Sequence, residues 1–168
     1  IDAYIIPTED YHNSEYPSNF FKCREYISGF SGSAGTVVLL ENFAGLWTDG
    51  RYYIQALDQL KESTITLFKE GQPEVPTIFE FLEKILIEGS NIGFDGRVIT
   101  GKFGLEIQNI AQKKNGSITA NKDLVGKIWE NRPELPANPA YFLEEKTTGK
   151  SRLEKLSDVR KIMENEGV

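Results

Sequence analysis

The sequence has a single cysteine, Cys23, and a single histidine, His12. One cysteine cannot close an internal disulfide, which fits a reducing compartment and predicts a cytoplasmic location. One histidine leaves zinc chemistry short of its usual imidazole ligands, and leaves a Ser-His-Asp triad with His12 as its only base. No serine stands in a G-x-S-x-G elbow. No apolar run approaches the ~20 residues of a membrane span, and no signal peptide is read at the start. Basic charge is also short. Nineteen Lys and Arg against 25 Asp and Glu give a net charge of -6, which argues against nucleic acid or an anionic membrane as a main partner.

What is present is ordinary for a globular chain: 168 residues, 39% hydrophobic and 26% charged. That length predicts one domain with a real core rather than two of ordinary size. The chain opens at Ile1 inside an apparent strand, which reads as a piece trimmed from something longer.

The most specific stretch runs from Ile27 to Leu60. Three glycines spaced by three, Gly29, Gly32 and Gly35, lead into the apolar run Thr36 to Leu40. A polar turn at Glu41 and Asn42 and a second strand ending in Trp47-Thr48-Asp49-Gly50-Arg51-Tyr52 complete a predicted hairpin. Phosphate cradles run strand, glycines, helix. Here the glycines precede a strand, and no Gly-Lys-Ser/Thr follows, so the spacing predicts a helix stop at Gly29 and close backbone turns at Gly32 and Gly35.

Along the chain, Ala3 to Ile6 reads as a buried strand closed by Pro7. A helix is predicted from Ser18 or Asn19, with Phe20, Cys23 and Ile27 on one face. A second, capped by Thr48 or Asp49, is predicted through Glu62 with Tyr53, Ala56, Leu57 and Leu60 as its stripe. Thr64 to Phe68 alternates as a strand. Thr77 and Glu80 form a capping box before Ile78, Phe81, Leu82, Ile85 and Leu86. Asn91 to Phe94 is a brief strand turning at Asp95-Gly96. A helix carrying Phe103, Ile107 and Ile110 ends at Asn115-Gly116, and Ser117 to Ala120 is a last strand. Alternating strands and helices, opened by a hairpin, predict an α/β fold on a mixed sheet.

At Arg132 the texture changes. Pro133, Pro136 and Pro139 make residues 131–150 a stiff, extended linker. Ser151 and Glu154 form another capping box, and the apolar positions behind it lack a partner strand. Residues 151–168 therefore read as the first helix of a following domain.

Chemistry is harder to find. His12 with Glu9, Asp10 and Glu15 could collect a metal, but the cluster lacks a recognised spacing and reads more simply as hydrogen-bonded loop residues. Cys23 falls on an apolar helix face. Asp49 and Arg51 stand at a strand end, where α/β folds present functional groups. Their structural alternative is a helix cap at Asp49, Arg51 paired with a carboxylate and Tyr52 packed. From residues alone, no complete active site is visible.

The strings IIPTEDYHNSEY, REYISGFSGSAGTVVLL and AGLWTDGRYYIQALDQL, followed by KIWENRPELPANPAYFL and GKSRLEKLSDVRK, resemble the N-terminal domain of Xaa-Pro aminopeptidases in the creatinase and prolidase family of metallopeptidases. The resemblance implies a mixed sheet with helices on both faces, ribonuclease H-like, over residues 1–130. It implies a parent with a downstream catalytic domain holding two divalent metals, commonly manganese, and acting on short proline-containing peptides. Metal ligands and cofactors belong to that domain and not to this fragment, which is expected to be inactive alone. The partners implied are the downstream domains of the same chain and a homo-oligomer, with the N-terminal domain supplying subunit contacts and gating substrate. Positions matching the family motifs are His12, Tyr26, Gly29, Gly32, Gly35, Trp47, Asp49, Arg51 and Tyr52, none of them expected to be catalytic. A stand-alone binding module, the equivalent domain of a prolidase and, more remotely, a nucleic-acid protein are the alternatives.

Overall fold

A computed structural model of the chain describes residues 1–167. It divides into two units, Ile1–Pro136 and Ala137–Val168. The first is built on a six-stranded sheet in the order β4-β3-β2-β1-β5-β6. Its strands are β1 (Ala3–Pro7), β2 (Thr36–Leu40), β3 (Phe43–Thr48), β4 (Ile65–Lys69), β5 (Asn91–Phe94) and β6 (Ser117–Thr119). Leu40 pairs with Phe43, so Glu41-Asn42 is the two-residue turn of an antiparallel hairpin. β1 pairs with β2 antiparallel and with β5 parallel. The sheet is therefore mixed, as the alternation of elements predicts.

Period-two alternation splits the strands between two cores. Ala3 and Ile5 face one side with Val38, Trp47, Ile92 and Phe94. That side is covered by α3 (Ile78–Ile85) and α4 (Gly101–Lys113) through Leu82, Ile107 and Ile110. Tyr4 and Ile6 face the other with Val37 and Leu46. Here the cover is α1 (Cys23–Ser28), α2 (Tyr53–Gln59) and α5 (Leu124–Ile128), through Ile27, Ala56 and Val125. Helices on both faces of the sheet match the expected architecture. The Thr77–Glu80 capping box forms as read, Glu80 N–H reaching the threonine hydroxyl and the glutamate reaching back to Thr77 N–H at 2.8 Å.

Three local readings need correction. The first helix is broken: a 3-10 turn over Asn19–Phe21 precedes α1, with Lys22 between them at ψ 38°. A 3-10 turn has three residues per turn, so the apolar phase slips and Phe21, not Phe20, is buried. The second helix starts without a side-chain cap at Tyr52 and ends at Gln59 rather than Glu62. Thr48 is wholly buried and gives its hydroxyl to Ala34 O at 2.7 Å, while the Asp49 carboxylate is taken by Arg51. Neither predicted cap is free to act. Leu57, placed on the buried stripe, is 50% exposed.

The second unit holds α6 (Glu145–Thr148) and α7 (Arg152–Glu166). The short α6 lies inside the stretch read as a continuous linker. α7 begins with the Ser151–Glu154 capping box and ends at Gly167 in the left-handed region. Leu153, Leu156, Val159, Ile162 and Met163 on it are all exposed.

Candidate functional site

β1, β3, β4 and β5 run in one direction and β2 runs against them. Their carboxyl ends, with the amino end of β2, therefore share one edge of the sheet. This is the edge at which open α/β sheets present functional groups. The 8–18 loop, the glycine-rich 29–35 loop and the 49–52 corner meet there around two adjoining cavities of about 320 and 360 Å³. Thr8, Glu15 and Ser33 line both.

The glycine-rich loop is held from inside by Arg24, a residue sequence reasoning passed over. Only 3% of Arg24 is exposed. Its guanidinium donates to Thr8 Oγ1 at 2.6 Å, to Phe30 O at 2.5 Å and to Gly32 O. It lies 4.7 Å from the Phe30 ring centroid. No carboxylate pairs with it among the described residues; carbonyl dipoles and an aromatic face compensate the charge instead. Burial lowers its pKa to about 10, so it stays protonated at neutral pH. Gly29 ends α1 at φ 70°. Gly32 and Gly35 are glycines because of space: a Cβ at Gly35 would sit 2.9 Å from Trp47 O, and one at Gly32 would enter the Phe30 and Tyr52 rings.

Trp47 is fully buried, stacked on Phe68 at 4.0 Å, with its indole N–H donating to Pro76 O. Asp49 and Arg51, at the rim, hold each other. Both Nε and Nη2 of Arg51 reach the Asp49 carboxylate, at 2.9 and 2.8 Å, and Arg51 N–H donates to the same Oδ1. That bonding holds the Asp49 carboxyl below its ordinary range. The Arg51 guanidinium also lies 5.2 Å from the Tyr52 ring centroid, and Tyr52 Oη is 2.6 Å from Ser33 Oγ.

On the 8–18 loop, Asp10 Oδ1 accepts the N–H groups of His12 and Ser14 at 2.8 and 2.9 Å. Desolvation alone would raise its carboxyl, but these bonds outweigh it and lower its pKa. His12 itself is exposed. Burial, helped by the charge of Asp10, raises the Glu9 carboxyl. Among the described residues no three His, Cys, Asp or Glu side chains come together to hold a metal. A dinuclear metal pair therefore does not fit these residues.

Tyr26 lies apart from the cleft on α1, stacked on Trp129 at 4.4 Å with its hydroxyl donating to Ile128 O. Beside it is a clamp the sequence reading left inside the linker. Arg132 donates to Asp123 Oδ2 at 2.5 Å, to Phe20 O at 2.8 Å and to Cys23 Sγ at 3.2 Å, its guanidinium 3.8 Å from the Phe20 ring centroid. Tyr4 Oη donates to Lys122 O, and α5 is thereby fastened under the sheet. The available signal was Asp123 three residues before Gly126, an N-cap for a short helix. Burial lifts the Cys23 thiol pKa to about 11 despite the nearby Arg132 charge.

Comparison with known proteins places this arrangement. Residues 1–127 match the family model of the creatinase/prolidase N-terminal domain. The probable Xaa-Pro aminopeptidase P of Coprinopsis cinerea is 42% identical over 168 residues, which cover 99% of this chain and 27% of that protein. Aminopeptidase P2 of Arabidopsis thaliana is 40% identical over 95% of this chain and 23% of its own length. Among solved structures, the X-prolyl aminopeptidase of Caenorhabditis elegans, a cytosolic enzyme with a di-nuclear active site, superposes with a TM-score of 0.83 at 33% identity, covering 99% of this chain and 27% of that one. The N-terminal domain of the peptidase PepQ from Mycobacterium tuberculosis shares the fold, with a TM-score of 0.51 at 24% identity over 76% of this chain and 86% of that one. The chain thus spans about a quarter of the length of the curated relatives it matches. It belongs to the creatinase/prolidase N-terminal domain family.

Proposed function

We propose that the chain is the non-catalytic N-terminal domain of a cytoplasmic Xaa-Pro aminopeptidase, contributing subunit contacts and restricting which peptides reach a downstream metal site. The observation that carries this reading is coverage: 99% of the chain aligns with 27% of an Xaa-Pro aminopeptidase P. Removal of an N-terminal residue before proline would be performed by the remaining length, with two divalent metals, manganese as the expected ion. The carboxyl-edge cleft offers main-chain donors, hydroxyls and rim carboxylates but no nucleophile–base pair, which suits a wall that sorts substrate rather than a centre that cuts it. Of the family-motif residues, Gly32, Gly35 and Arg51 line the cleft, Tyr52 reaches it through Ser33 and Asp49 holds Arg51; Gly29, Tyr26 and Trp47 support the fold around it, and His12 is exposed on the 8–18 loop. Residues 1–130 act as the wall, 131–150 as the connection, and the exposed apolar side chains of α7 dock into a following domain.

The test compares the purified chain with the full-length protein on an Xaa-Pro peptide in the presence of manganese. The full-length protein cleaves it and the chain alone does not; turnover by the chain alone would end this reading.

A further inference from the structure

β4 ends the sheet, so one of its long edges pairs with β3 and the other with no strand. Just beyond the β3–β4 ladder, Glu70 N–H donates to Thr48 O at 3.0 Å. In a parallel ladder alternate residues turn both main-chain groups toward the same neighbour. Thr66 and Phe68 therefore face β3 as Glu70 does, and Ile65, Leu67 and Lys69 turn theirs outward. Two of these outward groups are engaged within the chain: Ile65 N–H donates to Ser63 Oγ at 3.2 Å, and Lys69 O accepts Gln72 N–H at 3.1 Å. Ile65 O, Leu67 N–H, Leu67 O and Lys69 N–H have no hydrogen-bond partner among the described residues.

Edge strands are ordinarily blunted by proline, bulges or outward charge. Ile65–Lys69 reads ITLFK, with no proline and one charge, and the Lys69 ammonium is drawn aside to 5.7 Å from the Tyr53 ring centroid. The four free groups complement themselves in one register. When a second β4 runs antiparallel with Leu67 opposite Leu67, Ile65 stands opposite Lys69, and residues so paired exchange their main-chain bonds. Leu67 N–H then meets Leu67 O in both directions, Lys69 N–H meets Ile65 O in both directions, and the engaged Ile65 N–H and Lys69 O face only each other. A slip of two residues either way sets Leu67 O against the engaged Ile65 N–H, or Leu67 N–H against the engaged Lys69 O. No like charges oppose in the matched register: Lys69 meets Ile65 and Glu70 meets Thr64. The two α2 helices come to lie on one face of the joined sheet. Leu57 is one turn from Tyr53, whose hydroxyl donates to Glu70 O at the end of β4, so it lies on the side of α2 toward this edge; Leu57 and its neighbour Ile54 are 50% and 86% exposed.

We infer that the free edge of β4 is an interface with a second copy of this chain, the two strands pairing antiparallel about a two-fold axis at Leu67 to make one continuous sheet. The same patch serves both copies, as a two-fold contact requires. The inference rests on the subunit-contact role proposed above and deepens it by naming the surface.

A single strand edge flanked by two helices is a small interface, so the association is weak and is measured up to high concentration. Sedimentation velocity and amide hydrogen exchange of the 168-residue chain, each from about 10 µM to about 1 mM, test it. The mass is expected to double over that range. The Leu67 and Lys69 amides exchange about tenfold more slowly at the high concentration, whereas the Phe68 amide, bonded to β3, is slow at both. Leu67→Val keeps the N–H and still dimerises. Leu67→Pro removes only an outward N–H, which an edge strand tolerates, and weakens association about tenfold or more. Should Leu67→Pro fail to fold, exchange in the unsubstituted chain decides alone. A chain still monomeric at the highest concentration, a dimer whose Leu67 and Lys69 amides exchange as fast as in the monomer, or undiminished dimerisation of Leu67→Pro would each overturn the inference. Leu67 and Lys69 amides already slow in the monomer would mean that another segment covers the edge, and would overturn it too. An oligomeric full-length protein that needs residues 1–127 for assembly, beside a chain that stays monomeric, would leave the subunit role standing and remove this one. A chain that dimerises through Leu67, beside a full-length protein that assembles without residues 1–127, would do the reverse.

Discussion

Arg51 folds back onto Asp49 two residues earlier, placing both Nε and Nη2 on the carboxylate at 2.9 and 2.8 Å. The pair is a local fork at the cleft rim, not a helix cap. Its side chains are 65% and 38% exposed, and exposed ion pairs contribute little to stability. Asp49→Asn is therefore expected to shift the melting temperature by no more than about 2 °C. A larger loss in a thermal denaturation curve would mean that the fork supports the corner more than its exposure implies.

Arg24 is expected to behave otherwise. Arg24→Met orphans the carbonyls of Phe30 and Gly32 and the acceptor side of Thr8 Oγ1, costing about 3 kcal/mol. Lys cannot span the three acceptors that the guanidinium fork reaches, so Arg24→Lys recovers less than half. Urea unfolding of the three proteins measures this, and a fully stable lysine variant would show that charge alone, without the fork, holds the loop.

The glycines make a graded prediction. Gly29 has φ 70° with open space around its missing Cβ, so Gly29→Ala costs only the backbone term of about 1 kcal/mol. At Gly35 the same methyl would press on Trp47 O at 2.9 Å, and neither backbone can yield without disturbing the β2–β3 ladder. Gly35→Ala is expected to cost about 2 kcal/mol or more. Equal costs would contradict the reading of Gly35 as a close-approach site.

Asp123 gives the acid limb of stability its expected shape. Burial alone would raise its carboxyl, but the Arg132 hydrogen bond, the Gly126 N–H and the charges of Arg132 and Arg97 together hold it low. A carboxyl lowered on folding contributes stability that is complete above its unfolded pKa of about 3.9 and is lost as pH falls through the folded value. Asp123→Asn should therefore destabilise at pH 7 and flatten the loss of stability below about pH 4. An unchanged acid limb would place the proton uptake elsewhere.

Cys23, its thiol raised to about 11, carries little thiolate at pH 8. A thiol-reactive chromogen should modify it slowly in the folded chain and rapidly in denaturant. Fast modification of the native chain would show that the Phe20–Arg132 cover opens readily.

These features differ in how far residues alone reveal them. Thr77 with Glu80, Ser151 with Glu154 and the Glu41-Asn42 turn were legible because each is decided by neighbours within a few positions. The three-glycine spacing likewise follows from local pattern, whereas the strand order does not, because it joins Ala3 to Ile92. Arg24 was not, because a cation among helical polar residues looks solvated until the 30–35 loop closes over it. Asp49 satisfied the pattern of a cap, and only the fold-back of Arg51 removed its carboxylate from the helix. Arg132 sits among prolines and reads as linker; its role depends on Cys23 and Phe20, more than 100 residues away in sequence.

The access role is tested most directly by the peptide-length profile of the full-length protein measured beside a form lacking residues 1–127. The shortened form is expected to lose its subunit assembly and accept longer Xaa-Pro peptides as well as short ones. The same assembly and the same preference for short peptides after that deletion would contradict the role proposed for this domain.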